Sequence, residues 1–561
     1  MLKNYRVSLG SEFKGYNRAK LIKDVMAGVT VAAVALPLAL AFGVSSGATA
    51  SAGLVTAIVA GLVIGTLSGG FYQISGPTGA MAAILIALVS QYKMQGVFVA
   101  TFMAGIFLLL AGLFRLGRLT ALIPSSVITG FTSGIAVIIA SGQIKNLVGL
   151  SSFNGSFLAL MHQILTGVIN PTALMIGILT ILLMIFYPKS WNNQLPASLI
   201  AIVFATLFVL VFKIDVPVVG KMPTTLLPDN RFHLDMLNLK MMQGLLVPAF
   251  SIAALGMIES LLCGASAGRA AKQPLDNNQE LVAQGVGNMV LPFFGGIPAT
   301  AAIARTSVAI KSGAQTRLAG IVHALILLLS MFLFAPLMSA IPLSALAGVL
   351  IMTAIRMNEW EAIDFLVKHQ MKGGMIKFLV TMVVTVAFDL STAILVGIVI
   401  GFVLFILKVS QIEISTSQID PKRMNQHPNR AIEDWYVIYV TGPLFFLTSD
   451  QLKTVVEQLP DESDLIFSLR GVSMVDVTTL KLFIDILTAY HAQGRRIVFS
   501  SMSDRLYTSF QRAGIVAQAG ESAFYPAVNQ FLVALWEEQD DETGKEPLKE
   551  TNAVIQERQK N

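Results

Sequence analysis

The sequence predicts a polytopic α-helical membrane domain followed by a small α/β domain, and three observations carry that reading. Only 13% of the 561 residues are charged, against 54% hydrophobic, about half the charged share of a soluble domain. The deficit is confined to residues 21–408, where apolar runs of spanning length follow one another. Two short motifs recur at nearly one offset: "IPSSVITG" from Ile123 returns as "IPLSALAG" from Ile341, and the proline of "SGPTGAMAAI", Pro77, returns as Pro298 of "GGIPATAAIA". Beyond Lys408 the composition turns polar and the apolar pattern shortens.

Taken in order, residues 1–20 form a basic N-terminal segment with Lys3, Arg6, Lys14, Arg18 and Lys20. Residues 21–410 then hold fourteen apolar elements, some short. They start near Leu21, Ala52, Pro77, Val97, Thr120, Pro171 and Pro196, and again near Val247, Glu280, Pro298, Arg317, Leu343, Gly374 and Ser391. The first is long enough to span and follows about twenty polar residues, so no cleavable signal is expected. Fourteen crossings put both termini on one side. The loops of that side carry Arg115, Arg118, Lys189, Arg269, Lys272, Lys311, Arg317 and Arg356 among others, which places the N-terminus in the cytoplasm. The repeats, about 21–215 and 245–408, have seven elements each; an odd number turns the second upside down relative to the first. Residues 411–432 read as a polar linker. Within 433–540, "WYVIYV", "DLIFSL" and "RIVFSS" read as strands alternating with helices, and 541–561 as a solvated tail. The single cysteine, Cys263, excludes an intrachain disulfide, and the net charge of +6 is spread over many loops. That spread reads as membrane orientation, with no nucleic-acid partner.

The stretch "FFGGIPATAAIARTSVAIKSG" from Phe293 reads as a broken span. About fourteen residues separate Gly296 from Lys311, ~21 Å of helix against a ~30 Å hydrocarbon core. Pro77 and Pro298 hold equivalent places in the repeats, each after a flexible stretch and each suited to the first turn of a short helix. Two half-helices entering from opposite sides bring their N-termini face to face, and unpaired N–H groups with roughly half a positive charge apiece form an anion site. Thr78 and Thr300 add hydroxyl donors, while Gly79, Ala80, Ala299 and Ala301 keep the surroundings small. The alternative is a pair of kinked spans packed through small residues; the recurrence in register favours half-helices.

Arg305 is expected two turns into the second half-helix. Intramembrane charge costs at least ~2.5 kcal/mol, so Arg305 either sets the field for a bound anion or pairs with Glu259, and one residue can do both. Glu259 is the only acid between Leu245 and Ala271, in "AALGMIESLLCG"; it reads as a proton-coupling acid, with a structural acid as the alternative. His323 reads as a packing histidine and Asp389 as a cap or turn. No nucleophile–base set, metal-ligand cluster or phosphate loop is present in the sequence, so no enzyme, metal or cofactor is expected.

"FGGIPATAAIARTSVAIKSGA", "ELVAQGVGN", "ISGPTGAM" and "VALPLALAFG" resemble the sulfate-permease (SulP) anion transporters. The resemblance covers nearly the whole chain, because the C-terminal region resembles that family's STAS domain. It implies seven-plus-seven inverted repeats split into core and gate domains, and an anion site between the third and tenth spans. It also implies substrate contacts from Ser75, Gly76, Thr78, Ala299, Thr300 and Arg305. Further, it implies a homodimer in the bacterial inner membrane, with both termini cytoplasmic and an elevator-like movement of the core.

Sodium-coupled bicarbonate members resemble the first span, but carry Asp and, four residues on, Thr as sodium ligands. Here those positions hold Glu259 and Cys263, on one helical face, and a thiol suits a hard cation poorly. Those members also lack the arginine. "IESLLC" and "GNMVLPFFGG" look closer to proton-coupled bacterial members that move dicarboxylates such as succinate or fumarate. The expected function is therefore proton-coupled uptake of a dicarboxylate or sulfate. Sodium-coupled bicarbonate transport and an uncoupled exchanger or channel are the alternatives. In signalling STAS domains a phosphorylatable serine follows an aspartate at a helix start; here Asp476 is followed by Val477, and a structural, dimer-organising role is expected.

Overall fold

A computed structural model describes residues 2–118, 124–150, 157–167, 169–188, 196–220, 222, 225–273, 275–388, 390–419 and 434–543. Thr120, Lys189, Asp389, most of the expected linker and the tail from 544 lie outside the described residues. The chain forms two compact units, residues 1–401 and 402–561.

In the first unit, α1 (Leu2–Glu12), α2 (Arg18–Ser45) and α3 (Ala50–Leu67) lead to a short strand β1 (Ser75–Gly76) and then α4 (Gly79–Leu113). Helix α4 breaks at Lys93 (φ 56°, ψ −167°), so it accounts for the elements expected from Pro77 and from Val97. Next come α5 (Ser125–Leu147), α6 (Phe157–Leu165), α7 (Pro171–Phe186) and α8 (Ala197–Phe212). The second half holds α9 (Leu239–Ala271), α10 (Asn277–Val290), the strand β2 (Thr300–Ala301), α11 (Ile303–Lys311) and α12 (Leu318–Leu333). It closes with α13 (Ala335–Ser339), α14 (Leu343–Met357), α15 (Trp360–Lys368), α16 (Lys372–Ala387) and α17 (Leu390–Val409). Helices α2, α3, α5, α9 and residues 84–113 of α4 are long and apolar enough to cross a membrane.

Helix starts follow capping chemistry: Asn17, Thr49, Asn170, Asn238 and Asp276 each accept a hydrogen bond from a backbone N–H of the first turn. The cap at Asn238 starts α9 at Leu239, earlier than the expected Val247. Two packing groups form, each drawing on both halves of the chain. One joins α2, α3, α4, α9, α10 and α12; the other joins α5, α7, α8, α14 and α16. Helices α4 and α10 approach closely because glycine lines the contact, and a Cβ added to Gly105 would lie 2.6 Å from the Met289 amide nitrogen.

The second unit is a five-stranded sheet in the order β3 (Glu413–Gln418), β4 (Trp435–Thr441), β5 (Asp464–Gly471), β6 (Ile497–Ser500) and β7 (Phe524–Tyr525). The β3–β4 pair is antiparallel and the rest are parallel. Alternation sorts the side chains. Ile438, Phe467 and Phe499 face a core shared with α18 (Ser449–Glu457), α19 (Val477–Ala492), α20 (Asp504–Arg512) and α21 (Ile515–Ala519), while Val437, Ile466 and Val498 meet Phe531 and Leu535 of α22 (Val528–Thr543). Asp476 is the N-cap of α19, accepting from Thr479 N at 2.9 Å and Phe446 N at 2.9 Å, and Val477 beside it is exposed.

The N-terminal segment has a role that charge counting missed. Glu12 at the end of α1 accepts from the Arg317 backbone N–H at 2.7 Å and pairs with its guanidinium at 2.7 Å. Asp24, fully buried in α2, accepts from the N–H groups of Gln315 and Thr316 and from the hydroxyls of Thr316 and Tyr16. Two carboxylates about three hundred residues away in sequence thus satisfy the backbone amides of the three residues that lead into α12. Arg317→Met, which strands Glu12, is expected to lower stability by about 3 kcal/mol. In detergent this reads as a lower thermal midpoint and faster proteolysis within α1; an unchanged midpoint contradicts the clamp.

Candidate functional site

The two chain breaks meet. β1 and β2 pair antiparallel, Ser75 opposite Ala301 and Gly76 opposite Thr300. Flanking bonds extend the junction: Ala302 N donates to Ile74 O at 3.0 Å, Ile74 N to Thr306 Oγ1 at 3.1 Å, and Ala301 N to Ser260 Oγ of α9 at 3.2 Å. Inside a membrane such pairing is obligatory, because an extended backbone has no water to satisfy it.

The second half-helix is shorter than the sequence suggested. Helix α11 starts at Ile303, five residues after Pro298, so Pro298 is not in its first turn and Arg305 lies one residue past its second position. The reason is lateral competition for the backbone. Thr56 Oγ1 accepts from Ile297 N at 2.8 Å, Asn288 takes both polar groups of Ala299, and Thr300 and Ala301 are in the strand pair. Helical bonding cannot begin until those partners end. At the other break Pro77 lies two residues before α4, with Thr78 as N-cap.

A stripe on α10 templates both breaks. Asn288 Nδ2 donates to Ala299 O at 2.9 Å and its Oδ1 accepts from Ala299 N at 2.9 Å, the pattern of a strand neighbour. Gln284 Nε2 donates to Ser75 Oγ at 2.8 Å, and Glu280 accepts from Ser68 Oγ at 2.6 Å and Gly69 N at 3.0 Å. None of these three side chains was singled out as a site residue from sequence. The available signal was their spacing in "ELVAQGVGN": polar residues four apart in an apolar chain form one helical face.

The candidate site residues gather at this junction. Glu259, half-buried on α9, accepts through Oε2 from Thr300 Oγ1 at 2.7 Å and from Thr78 Oγ1 at 3.0 Å. The two hydroxyls expected to face a ligand are therefore turned to a carboxylate. Arg305, 1% exposed, crosses to the other break and donates through Nη2 to Pro77 O at 2.9 Å; this carbonyl, rather than Glu259, is its hydrogen-bond partner. Its Nη1 is buried without a partner and packs so close to Gly76 that any Cβ there would collide with it. A side chain at that position would have to push the guanidinium aside.

Neither α4 nor α11 has a side-chain cap, so their first-turn N–H groups stay available. Ile139 of α5 and Phe42 of α2 pack against Gly79 at the start of α4, while Ile303 and Ala304 at the start of α11 are exposed. Cys263 Sγ lies 3.4 Å from Thr306 Oγ1, and His323 is fully buried. Among the described residues no group of three His, Cys, Asp or Glu side chains could hold a metal ion. Two hydroxyl donors meet one carboxylate and a guanidinium lies at the adjoining break, and donors of these types can hold an oxyanion.

Comparison with known proteins bears on the same elements. Residues 21–384 match the Sulfate permease family, and residues 426–530 match the STAS domain. The chain is 32% identical to YvdB of Bacillus subtilis (strain 168), over 91% of this chain and 97% of that protein. It is 29% identical to the bicarbonate transporter BicA of a Picosynechococcus species, over 81% of this chain and 84% of the relative. Among solved structures, the transmembrane domain of a cyanobacterial BicA matches at 30% identity with a TM-score of 0.63, covering 68% of this chain and 98% of its own. The murine anion transporter Slc26a9, in the inward-facing state, matches at 17% identity with a TM-score of 0.81 over 93% of both chains; that likeness is one of fold.

Removing the α10 template tests the geometry. Asn288→Leu leaves both polar groups of Ala299 buried and unpaired, with an expected loss of about 2–4 kcal/mol. Thermal unfolding of the purified protein should show it, and a midpoint equal to wild type contradicts the template.

Proposed function

This chain belongs to the sulfate permease family of anion transporters and carries a STAS domain, and from that premise we propose that it couples the uptake of an anion to the entry of a proton. The observation that carries this reading is the shared carboxylate. Glu259 Oε2 holds the hydroxyls of both Thr78 and Thr300, the groups an incoming anion needs. A carboxylate only accepts hydrogen bonds, so while Glu259 is ionised it competes with the anion by charge and by occupancy. A proton on Glu259 removes the charge and turns one oxygen into a donor, and the threonine hydroxyls are then free to rotate to the substrate. Anion and proton bind together because each makes room for the other, and binding of the pair leaves less net charge to move through the membrane.

Ser75, Gly76, Thr78, Ala299, Thr300 and Arg305 form the substrate side of this scheme, with Glu259 as the coupling acid. The unpartnered Nη1 of Arg305 supplies the positive charge toward the bound anion, and the open helix starts supply amides. The substrate is an oxyanion of the sulfate or dicarboxylate class. Transport proceeds by movement of the α2–α3–α4–α9–α10–α12 group against the α5–α7–α14 group, in an inner-membrane homodimer with cytoplasmic termini. Bicarbonate is the second reading, supported by the BicA relative. The thiol of Cys263, engaged near Thr306 where those members have an oxygen ligand, favours protons over sodium.

The test is accumulation of labelled sulfate, succinate, fumarate and bicarbonate by proteoliposomes under separate proton and sodium gradients. Glu259→Gln is expected to abolish proton-driven accumulation while exchange without a gradient persists; unchanged accumulation contradicts the coupling. Arg305→Ala is expected to raise KM by about tenfold or more, the loss of a charge-assisted contact. An unchanged KM removes Arg305 from the site.

A further inference from the structure

Behind the junction lies a directional hydrogen-bond chain. Glu280, Gln284 and Asn288 are 0%, 0% and 1% exposed and lie on one face of α10. The Gln284 amide nitrogen donates twice, to Ser75 Oγ at 2.8 Å and to Glu280 Oε1 at 2.8 Å. The other carboxylate oxygen of Glu280 is held by Ser68 Oγ and Gly69 N. A carboxylate accepts only, so it dictates which end of the amide faces it; turning the amide over would set two oxygens against each other. The cost of that orientation is visible, because Gln284 Oε1 is buried with no partner. A buried amide that forgoes a bond at its oxygen to keep two N–H bonds is held for the direction of those bonds.

That direction reaches the site at Ser75. A hydroxyl has one hydrogen to give and lone pairs to receive. With the Gln284 N–H occupying a lone pair of Ser75 Oγ, the hydroxyl hydrogen points away from α10. The charged oxygens of an anion accept hydrogen bonds, so a hydroxyl facing them must be set as a donor.

We propose that Gln284 is a positioning residue for anion binding: its amide, oriented by Glu280, presents Ser75 Oγ as a hydrogen-bond donor to the substrate at the β1–β2 junction. The inference rests on the assignment of Ser75 to the anion site given above. Gln284 never touches the substrate; it acts through Ser75.

The test is a double-mutant cycle on the full chain in proteoliposomes, using labelled sulfate, succinate or bicarbonate, whichever the wild type accumulates. Gln284→Met keeps the side-chain length and removes both donors. It is expected to raise KM about fivefold, the value of one neutral hydrogen bond, with Vmax within about twofold. Ser75→Ala is expected to raise KM by at least as much. In Ser75→Ala/Gln284→Met the KM should equal that of Ser75→Ala alone, because the second residue works only through the first. If Gln284→Met by itself fails to fold, the Ser75→Ala and double variants still decide the matter, since removing both partners of a buried bond is gentler than removing one. A KM that stays at wild type in Gln284→Met, or that rises again in the double variant, overturns the role of Gln284. A KM that stays at wild type in Ser75→Ala overturns the anion-site assignment itself, and the positioning role with it.

Discussion

A backbone that leaves the helix inside a bilayer finds no water for its amides, and this protein answers that constraint at the β1–β2 junction. Two extended segments, one in each half of the chain, satisfy each other as β1 and β2. What they cannot satisfy together is supplied by side chains: Asn288 for Ala299, Thr56 for Ile297, Ser260 for Ala301 and Arg305 for Pro77. The same solution that stabilises the breaks leaves α4 and α11 without side-chain caps. Structure and binding chemistry therefore come from one arrangement.

Charge is distributed around the junction in two opposed pieces. Arg305 reaches across from α11 to the α4 break, and Glu259 reaches in from α9 to the two threonines. Their hydrogen bonds go to different partners, which keeps both available to a third species. A tightly closed ion pair would neutralise the site and be costly to open. Here the guanidinium retains an unpartnered arm, and Glu259 as a residue is half-buried.

Much of this was legible in the sequence, and for identifiable reasons. Proline and glycine at fixed repeat positions mark breaks because no neighbouring helix residue can imitate them, and so Pro77 and Pro298 pointed to the junction. The C-terminal sheet was readable because strands buried on both faces, such as "DLIFSL", are short and apolar between polar turns. What escaped was decided by partners distant in the chain. The start of α11 depends on Asn288 and on β1, and the turn leading into α12 depends on Glu12 and Asp24. Arg317, counted as a basic loop residue, is a buried clamp. The stripe on α10 lay between these cases: its spacing was visible, but its function required knowing that both breaks lie against one helix face.

The most direct measurement is a cryo-EM map of the protein at acidic pH with a saturating concentration of the anion that its proteoliposomes accumulate. An anion should then occupy the space between the starts of α4 and α11, within hydrogen-bond distance of Thr78 and Thr300, with the Glu259 carboxyl turned from at least one of those hydroxyls. An anion bound elsewhere, or bound here while Glu259 still holds both threonines, would contradict competition between carboxylate and substrate as the basis of coupling.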